Sequence, residues 1–344
     1  MRNPSKRYFF TKLFNYEYWP FWVFYFPLYF YCLYLAIRSR SPSYFTAANP
    51  GMQYGGAFYQ SKIDILRLIP PEYLPKTLFF QQGASVAEIT EGMQRESIAY
   101  PCIAKPNVGE RGIGVEKIDS AAALESYLAT HPHDLLIQEY IAYPVEVGVF
   151  YHRFPDAAQG KITSIVMKEF LTVTGDGKST LEALMMQHIR AVGRLHYLRE
   201  KFKTCLDEVL PPGEQMRLEP IGNHNRGTQF LNGNHLINAQ LLAIFDRIGK
   251  SIPDYYYGRF DLKVPNLDDL YQGKNIKIME LNGVNSEPAH IYDPAMRIGQ
   301  AYRALFLHAK IIQQIAVYNH RHRDVAYAPF WKMLKDLKAH LFSS

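Results

Sequence analysis

One segment, residues 100–115, constrains the fold of this chain most, because it joins a strand-like apolar run to a glycine-rich loop. The run ends in a Lys-Pro pair at Lys105, and the loop after it carries Gly109, Gly112 and Gly114. Glycine lets backbone N–H groups approach an anion without a Cβ clash, and lysine adds a compact positive charge. The spacing matches neither a P-loop nor a dinucleotide-binding loop. The segment therefore predicts either a different phosphate-binding loop or an ordinary hairpin whose turn needs glycine.

Two downstream segments, residues 257–263 and 276–283, alternate between apolar and polar side chains as strands do. Alternation places two polar side chains on one face of each segment. Carboxylate and amide oxygens on neighbouring strands suit magnesium, a hard cation. Each segment alone is also typical of an ordinary strand with a solvated polar face. Because both follow the Lys-Pro-glycine segment, the two segments together favour a metal site. One strand face would contribute Arg259 and Asp261, and the other Glu280 and Asn282.

Together, these segments resemble the ATP-grasp superfamily of carboxylate-amine ligases, in particular D-alanine-D-alanine ligase and the ATP-grasp part of cyanophycin synthetase. The resemblance runs from about residue 61 to about residue 297. It implies an α+β fold, the ATP-grasp fold, in which two α/β lobes clamp the nucleotide. It also implies ATP and magnesium as cofactors, with two ions bound and manganese as an alternative, and a small-molecule carboxylate and an amine as substrates.

The resemblance assigns nucleotide-binding roles residue by residue. Lys62 and Lys105 correspond to two phosphate-binding lysines, and the glycine loop follows the second. Residues 138–141 resemble the hinge that contacts adenine, with Glu139 and the neighbouring backbone facing its edge. Glu146 corresponds to the carboxylate that binds the ribose hydroxyls. The full set of nucleotide-binding candidates is Lys62, Lys105, Gly109, Gly112, Gly114, Gln138, Glu139, Ile141 and Glu146.

For the chemistry, the resemblance identifies Arg259 as the arginine that holds an acyl phosphate and assigns the magnesium ions to Asp261, Glu280 and Asn282. A carboxylate does not react with an amine at neutral pH, whereas an acyl phosphate has a usable leaving group. Cations would offset charge on the transferred phosphoryl group, so catalysis would depend on positioning and electrostatics. The catalytic candidates are Arg259, Lys105 and Lys168.

Two further segments carry open alternatives. Lys168 lies in a strand-like segment before a Gly-Asp-Gly turn and resembles a third phosphate lysine of cyanophycin synthetase. The alternative is an ordinary turn and helix start, with Ser179 or Thr180 as the N-cap. The loop at residues 223–228 resembles the family's substrate loop, and a polar surface loop is the alternative.

The N-terminal residues 16–37 are apolar and rich in Tyr and Trp, with basic residues on both sides. The length is close to that of a bilayer span, but Glu17, Pro20 and Pro27 favour a segment that lies in the membrane interface. We expect this segment to hold the protein at a lipid surface, on the cytoplasmic side of the cell membrane where ATP is found, and to take no part in the chemistry. A buried aromatic helix is the alternative. An amphipathic helix at residues 330–342 would reinforce the anchor or pack on the body.

We divide the chain into a membrane-associated segment (1–40), a shortened pre-grasp region (41–77), a small lobe (78–145), a large lobe with the metal site (146–305) and C-terminal helices (306–344). Three separated cysteines indicate no disulfide framework, and a net charge of +6 without a nucleic-acid motif argues against nucleic-acid binding. The sequence leaves the oligomeric state open. Periodicity predicts helices at residues 120–130, 180–200, 239–250 and 294–318.

The expected function is an ATP-dependent ligase that forms an amide or peptide bond through an acyl phosphate and releases ADP and phosphate. Two alternatives belong to other classes. A catalytically silent ATP-binding module at the membrane would explain the shortened pre-grasp region, although the retained Arg259 and metal-ligand set count against it. An ATP-grasp phosphotransferase would use the same nucleotide site without forming an amide.

Overall fold

The computed structural model of the chain describes residue 8 and residues 11–58, 60–109, 112–222 and 224–342. These residues form two antiparallel sheets of four and five strands, a two-stranded sheet, and helices that pack on them. This mixture of helices and antiparallel sheets agrees with the α+β class expected from the sequence. Of the sequence positions used above, Glu110, Arg111 and Asn223 lie outside the described residues, as do the ends of the first and last predicted domains.

The strands, in chain order, are β1 (Thr77–Phe80), β2 (Cys102–Pro106), β3 (Glu116–Ile118), β4 (Leu135–Glu139), β5 (Val145–His152), β6 (Lys161–Glu169), β7 (Thr172–Thr174), β8 (Gln215–Arg217), β9 (Gln229–Asn232), β10 (Tyr257–Val264) and β11 (Lys277–Asn282). The helices are α1 (Phe21–Phe24), α2 (Phe26–Arg38), α3 (Lys62–Leu66), α4 (Val86–Arg95), α5 (Ala121–Thr130), α6 (Leu181–Gln187), α7 (Ile189–Val192), α8 (Leu195–Lys201), α9 (Ala239–Ser251), α10 (Leu267–Gln272), α11 (Ile298–His322) and α12 (Phe330–Phe342).

The small sheet has the order β1-β4-β2-β3, and α4 and α5 share an apolar core with it. Helix α4 begins at a capping box in which Ser85 and Glu88 bond reciprocally, and the Ser120 side chain caps α5. Ile89, Leu124 and Ile137 are fully buried in the core between them. This packing fixes β2, and therefore Lys105, relative to the glycine loop.

The large sheet has the order β11-β10-β5-β6-β9, and its two faces differ sharply. On β10, Phe260 and Leu262 are fully buried in a core shared with α9. Arg259, Asp261 and Lys263 alternate with these two residues and lie on the opposite face, because successive side chains of a strand point to opposite sides. One face of this sheet therefore packs in the apolar core, and the other carries charged side chains.

Two helix predictions agree closely with the structure, and two need correction. Residues 120–130 and 239–250 correspond to α5 and α9. Residues 180–200 form three short helices, because His188 adopts an extended conformation and interrupts the pattern after α6. The last long helix, α11, begins at Ile298 and runs on to His322, so residues 319–322 form its last turn. Asn319 in that turn is fully buried and donates to the Ala47 carbonyl at 2.8 Å.

Helices α1 and α2 lie against α11. The ring centroids of Phe24 and Tyr302 are 5.4 Å apart, and those of Tyr31 and Phe306 are 5.0 Å apart. In the part of the chain that the structure describes, no helix has both the length and the apolarity needed to cross a bilayer. The other side of α1 and α2 is exposed; we call it the outer aromatic face, made of Phe21, Trp22, Phe26, Tyr29, Phe30, Leu33, Tyr34 and Ile37.

Candidate active site between the two sheets

A cavity of about 860 Å³ lies between the small and large sheets, with the glycine loop and the N-terminal segment completing its wall. Most of the residues singled out from the sequence line it. Gly114 and Glu139 lie outside the lining, whereas the others are brought together: Lys62, Lys105, Gly109, Gly112, Gln138, Ile141, Glu146, Lys168, Arg259, Asp261, Glu280 and Asn282.

Lys105 reaches the cavity from β2. Its Nζ donates to Gln138 Oε1 at 3.1 Å and to the Met279 carbonyl at 3.3 Å, which joins the two sheets across the cavity. Burial lowers the pKa of Lys105 to about 8, although the nearby Glu280 carboxylate acts in the opposite direction. A buried lysine of this kind gains stability when an anion binds beside it.

The glycine loop connects β2 to β3, which pair as an antiparallel hairpin. Gly112 and Gly114 have φ of +72° and +67°, values that residues with a Cβ rarely adopt. Lys62 Nζ donates to the Gly109 carbonyl at 2.6 Å, and Arg226 donates to the Gly112 and Val115 carbonyls. The segment is therefore both a hairpin and a cavity wall, and cations hold the loop at each end.

The centre of the cavity is a network of opposite charges on neighbouring strands. Arg259 Nε and Nη2 donate to Asp261 Oδ2 at 3.2 and 3.0 Å, and Asn282 Nδ2 donates to the same oxygen at 3.2 Å. Lys168 Nζ, from β6, lies 2.8 Å from Glu146 Oε1 and 3.4 Å from Asp261 Oδ1. Side chains from three strands thus surround the Asp261 carboxylate: Arg259 from β10, Lys168 from β6 and the neutral Asn282 from β11.

Register explains this convergence. Between β10 and β11, Arg259 lies opposite Asn282 and Asp261 lies opposite Glu280; between β10 and β5, Lys263 lies opposite Glu146. Directly opposed side chains on one face are about 5 Å apart at Cβ. Burial alone would raise the pKa of Asp261, but the charges of Arg259 and Lys168 outweigh it and hold the pKa below its usual value.

The residues present fit magnesium by their chemistry. The candidate ligand set is two carboxylates and one amide, from Asp261, Glu280 and Asn282, which are hard oxygen donors. Asp261 Oδ1 is buried and accepts no hydrogen bond among the described residues, and Lys168 Nζ lies 3.4 Å from it as an ion-pair partner. Among the residues that the structure describes, no group of three or more His, Cys, Asp and Glu side chains is placed to hold a metal.

The hinge after β4 contributes backbone and apolar surface to the cavity. Ile141 and Tyr140 line it, and Lys263 Nζ donates to the Ile141 carbonyl at 3.0 Å. The Glu139 side chain, expected to face adenine, instead accepts from the Lys76 backbone N–H at 3.1 Å, because alternation turns it away from Gln138. Glu146, expected to bind ribose, lies in the lining with its carboxylate paired to Lys168.

The N-terminal segment forms part of the cavity wall. Residues 16–37, which we expect to take no part in the chemistry, thus lie beside the candidate site. The residues that the segment contributes to the lining are Glu17, Trp19, Phe21, Phe24 and Tyr25. Tyr16 fixes the segment to the body, since its hydroxyl donates to the Ile291 carbonyl at 2.6 Å.

A buried charge cluster links this segment to the large lobe. Arg190 Nη2 pairs with Glu17 Oε1, and His224 Nε2 lies 2.8 Å from the same oxygen. We expect Glu17→Gln to lower the free energy of unfolding by about 3 kcal/mol, because it leaves the Arg190 charge buried without its counter-ion. Chemical denaturation would measure the change. Asp64→Asn is the control, since the Asp64–Arg67 pair is exposed and should contribute less than about 0.5 kcal/mol; equal losses would contradict the assignment.

The same cluster predicts a pH dependence. Burial alone would raise the pKa of Glu17, but the His224 hydrogen bond and the Arg190 charge outweigh it and hold the pKa below its usual value. A carboxyl with a lowered folded-state pKa stabilises the fold above its unfolded pKa and loses that contribution as pH falls through the lower value. The stability difference between wild type and Glu17→Gln should therefore be largest near neutral pH and shrink below about pH 4.

The structure adds one functional candidate that sequence reasoning missed, Glu287. It lines the cavity, and its backbone carbonyl accepts from Arg259 Nη1 at 3.2 Å. Burial raises the pKa of Glu287 to about 7, although a hydrogen bond to Tyr292 acts in the opposite direction. The available signal was an acidic residue in the loop directly after β11, five positions beyond Asn282.

Comparison with known proteins gives similarities of fold. No protein-family model matches the chain, and no curated protein matches it in sequence. The solved structure of VanG D-Ala:D-Ser ligase from Enterococcus faecalis is similar with a TM-score of 0.41 at 14% identity, covering 72% of this chain and 61% of that one. A bifunctional glutathione synthetase from Pasteurella multocida gives 0.40 at 14%, covering 75% and 38%.

D-alanine-D-alanine ligase from Bacillus anthracis, complexed with ATP, gives a TM-score of 0.41 at 14% identity and covers 77% of this chain and 68% of that one. The chain therefore spans less than two thirds of the length of the first two of these proteins. By their names, two of these neighbours are ligases and the third is a glutathione synthetase. At this identity and these TM-scores, the likeness concerns the fold alone.

Proposed function

We propose that this protein is an ATP-dependent carboxylate-amine ligase that forms an amide or peptide bond through an acyl phosphate. One observation carries the proposal: Lys105, Lys168 and Arg259 converge with an oxygen-ligand set inside a single cavity. Three fixed cations beside hard oxygen donors are what transfer of a phosphoryl group to a carboxylate requires. A structural ion-pair network would not need a glycine loop over the same cavity.

ATP is proposed to lie with its adenine against the hinge backbone near Ile141 and its phosphates under the glycine loop. Lys62 and Lys105 are the cations on that side, and Lys105 gains a full counter-charge when phosphate enters. Magnesium held by Asp261, Glu280 and Asn282 would supply neutralisation of phosphate charge. Lys168 and Arg259, already fixed by Asp261, need little reorganisation.

In the first step a substrate carboxylate oxygen attacks the γ-phosphorus of ATP, and the bond to the ADP oxygen breaks. Arg259 would hold the resulting acyl phosphate; its guanidinium is held in one orientation by hydrogen bonds to Asp261 and to the Glu287 carbonyl. In the second step an amine attacks the acyl carbon and phosphate leaves. Glu287, with a pKa of about 7, can accept the proton that the amine loses.

Trapping the acyl phosphate tests the proposal. The purified protein would be incubated with ATP, magnesium, hydroxylamine and a panel of carboxylic acids, and both ADP and hydroxamate would be measured. A ligase gives hydroxamate and ADP in equal amounts, dependent on the acid. Acid-dependent ADP with a stable phosphorylated product and no hydroxamate would favour the phosphotransferase, and no acid-dependent ADP across the panel would favour the silent binding module.

We also propose that the outer aromatic face rests on a lipid surface, on the cytoplasmic side of the cell membrane. Its eight exposed apolar and aromatic side chains lie on two consecutive helices, and a contiguous exposed apolar patch is typical of a site that meets a membrane or another protein. Lys12, Arg38 and Arg40 are exposed beside it and suit anionic headgroups. Aromatic side chains favour the interface between headgroups and acyl chains.

Point substitutions test this better than truncation, because deleting the segment would also remove cavity wall. We expect the combined variant Trp22→Ser, Phe30→Ser and Leu33→Ser to lose at least about tenfold in affinity for vesicles of 70% phosphatidylcholine and 30% phosphatidylglycerol. Vesicle sedimentation would measure it. Tyr197→Ser, an exposed aromatic residue on α8, is the control. Unchanged binding of the triple variant would show that another part of the chain, such as α12 with its exposed Trp331, makes the contact.

A further inference from the structure

The N-terminal segment gives the cavity an apolar end next to the charged centre. We call it the aromatic end; its lining residues are Trp19, Phe21, Phe24, Tyr25, Phe230 and Tyr292. They form a contiguous group: the ring centroids of Phe21 and Tyr25 are 4.2 Å apart, the Tyr25 and Tyr292 hydroxyls are 3.1 Å apart, and the His224 ring joins Tyr292 to Phe230 at 5.0 and 5.2 Å. This wall is separate from the hinge and the glycine loop.

The aromatic end adjoins the guanidinium of Arg259. Tyr292 hydrogen bonds to the Glu287 side chain, and the Glu287 carbonyl accepts from Arg259 Nη1 at 3.2 Å. A ligand whose anionic group lies at Arg259 therefore has aromatic rings as the next surface along the cavity. Arginine recognises carboxylates and phosphates by charge-assisted hydrogen bonds.

Polar groups at the aromatic end are already engaged within the protein. Glu17 is paired with Arg190 and approached by His224, and the Trp19 indole N–H donates to the Leu13 carbonyl at 3.0 Å. The Tyr25 and Tyr292 hydroxyls hydrogen bond to each other. What this end presents to a ligand is consequently apolar ring surface, which favours an apolar group because burial removes both surfaces from water.

Phe21 connects the cavity to the outside of the molecule. It lines the cavity, and it also belongs to the outer aromatic face with 52% of its surface exposed. An apolar path therefore runs from the neighbourhood of Arg259, along the aromatic end, to the surface proposed to meet lipid. A cavity built only for small polar amino acids has no use for such a path.

We infer that the carboxylate substrate of this enzyme is an amphiphile, with its carboxylate at Arg259 and an apolar chain or ring system along the aromatic end. The inference rests on the proposed ligase function and adds the class of acid that the cavity selects. It also gives the N-terminal segment a second role, since the wall that selects the acid continues into the face that meets the membrane.

A chain-length series tests the inference. Straight-chain acids of four, eight and twelve carbons would be compared in the hydroxylamine assay, below their micelle concentrations and without vesicles. We expect kcat/KM to rise at least about tenfold from four to twelve carbons. Hydroxamate formation that is fastest with the four-carbon acid would overturn the amphiphile inference and leave the ligase proposal standing, whereas no hydroxamate with any acid would remove both.

A matched pair of variants tests whether the aromatic end is the part of the protein that selects for long-chain acids. Phe21 and Phe26 are both exposed, at 52% and 57%, but only Phe21 of the two lines the cavity. Phe21→Ser should lower the preference for twelve over four carbons about tenfold, through KM, while Phe26→Ser should retain the wild-type preference. An equal loss in both variants would mean that the chain length acts through the outer surface, which contradicts the inference.

A binding measurement makes the test independent of turnover. The chain has three tryptophans, so replacing Trp22 and Trp331 with phenylalanine leaves Trp19 in the aromatic end as the reporter. A twelve-carbon acid brominated near its methyl end should quench this fluorescence saturably, and Phe21→Ser in the same background should weaken the apparent affinity about tenfold. Failure of the brominated acid to quench Trp19 at saturating concentration would place the apolar chain elsewhere.

Discussion

Replacing Glu280 with glutamine is expected to reduce ATP turnover about 10³-fold while leaving the fold intact. Glu280 lies opposite Asp261 across β10 and β11, lines the cavity and is exposed to it. Removing its charge takes away one of the two carboxylates proposed to hold magnesium against the phosphates. Because the side chain faces the cavity and not the core, the midpoint of thermal unfolding should change by less than about 2 °C.

The measurement is ADP release at saturating ATP, combined with a magnesium titration. Glu125→Gln is the matched control, since Glu125 is an exposed carboxylate on α5 away from the cavity. The variant Glu280→Gln should also need a higher magnesium concentration for half-maximal nucleotide binding, which a purely structural glutamate would not affect. Wild-type ADP release by Glu280→Gln would remove Glu280 from the metal site.

Arg259→Lys is the second large effect we expect, a loss of about 10³-fold in amide or hydroxamate formation with ATP binding retained. Lysine keeps the charge but not the planar fork, and Arg259 uses Nε and Nη2 on Asp261 and Nη1 on the Glu287 carbonyl. The substitution therefore leaves Asp261 with a cationic partner while removing the guanidinium that we propose binds the acyl phosphate.

A binding measurement with a fluorescent ATP analogue distinguishes a role of Arg259 in product formation from a general disruption of the nucleotide site. Its affinity should change by less than about threefold in Arg259→Lys, because Lys62 and Lys105 remain on the proposed phosphate side. Arg303→Lys, an exposed position on α11, should behave as wild type in both assays. Parallel loss of ATP binding and product formation would assign Arg259 to the nucleotide, and full activity would exclude it from the chemistry.

The charged centre was accessible from sequence because it follows from local alternation. The pairs Arg259 with Asp261 and Glu280 with Asn282 each share a strand face by the two-residue period alone. The further prediction, that these two faces meet, assumes only that β10 and β11 are neighbouring strands. The structure confirms that they pair, with Asp261 opposite Glu280. Lys105 was accessible for a related reason, since its strand and the glycine loop are contiguous in the chain.

What sequence reasoning missed depends on contacts between distant parts of the chain. Residues 16–37 have the composition of a membrane segment, and nothing local indicates that Glu17 pairs with Arg190 or that Tyr25 meets Tyr292. Glu287 gains its raised pKa from burial by the assembled fold. For Glu139, local alternation was the better guide than the family resemblance. The resemblance predicts that its side chain faces adenine, whereas alternation along β4 directs it to the backbone N–H of Lys76.

The most direct test of the ligase account follows one oxygen atom. An acid that gives hydroxamate would be prepared with ¹⁸O in its carboxylate and turned over with ATP and an amine, and the released phosphate would be analysed by mass spectrometry. If the carboxylate attacks the γ-phosphorus and the amine then displaces phosphate, one ¹⁸O per turnover must appear in the phosphate. Release of unlabelled phosphate alongside the amide would show that no acyl phosphate forms and would contradict the proposed function.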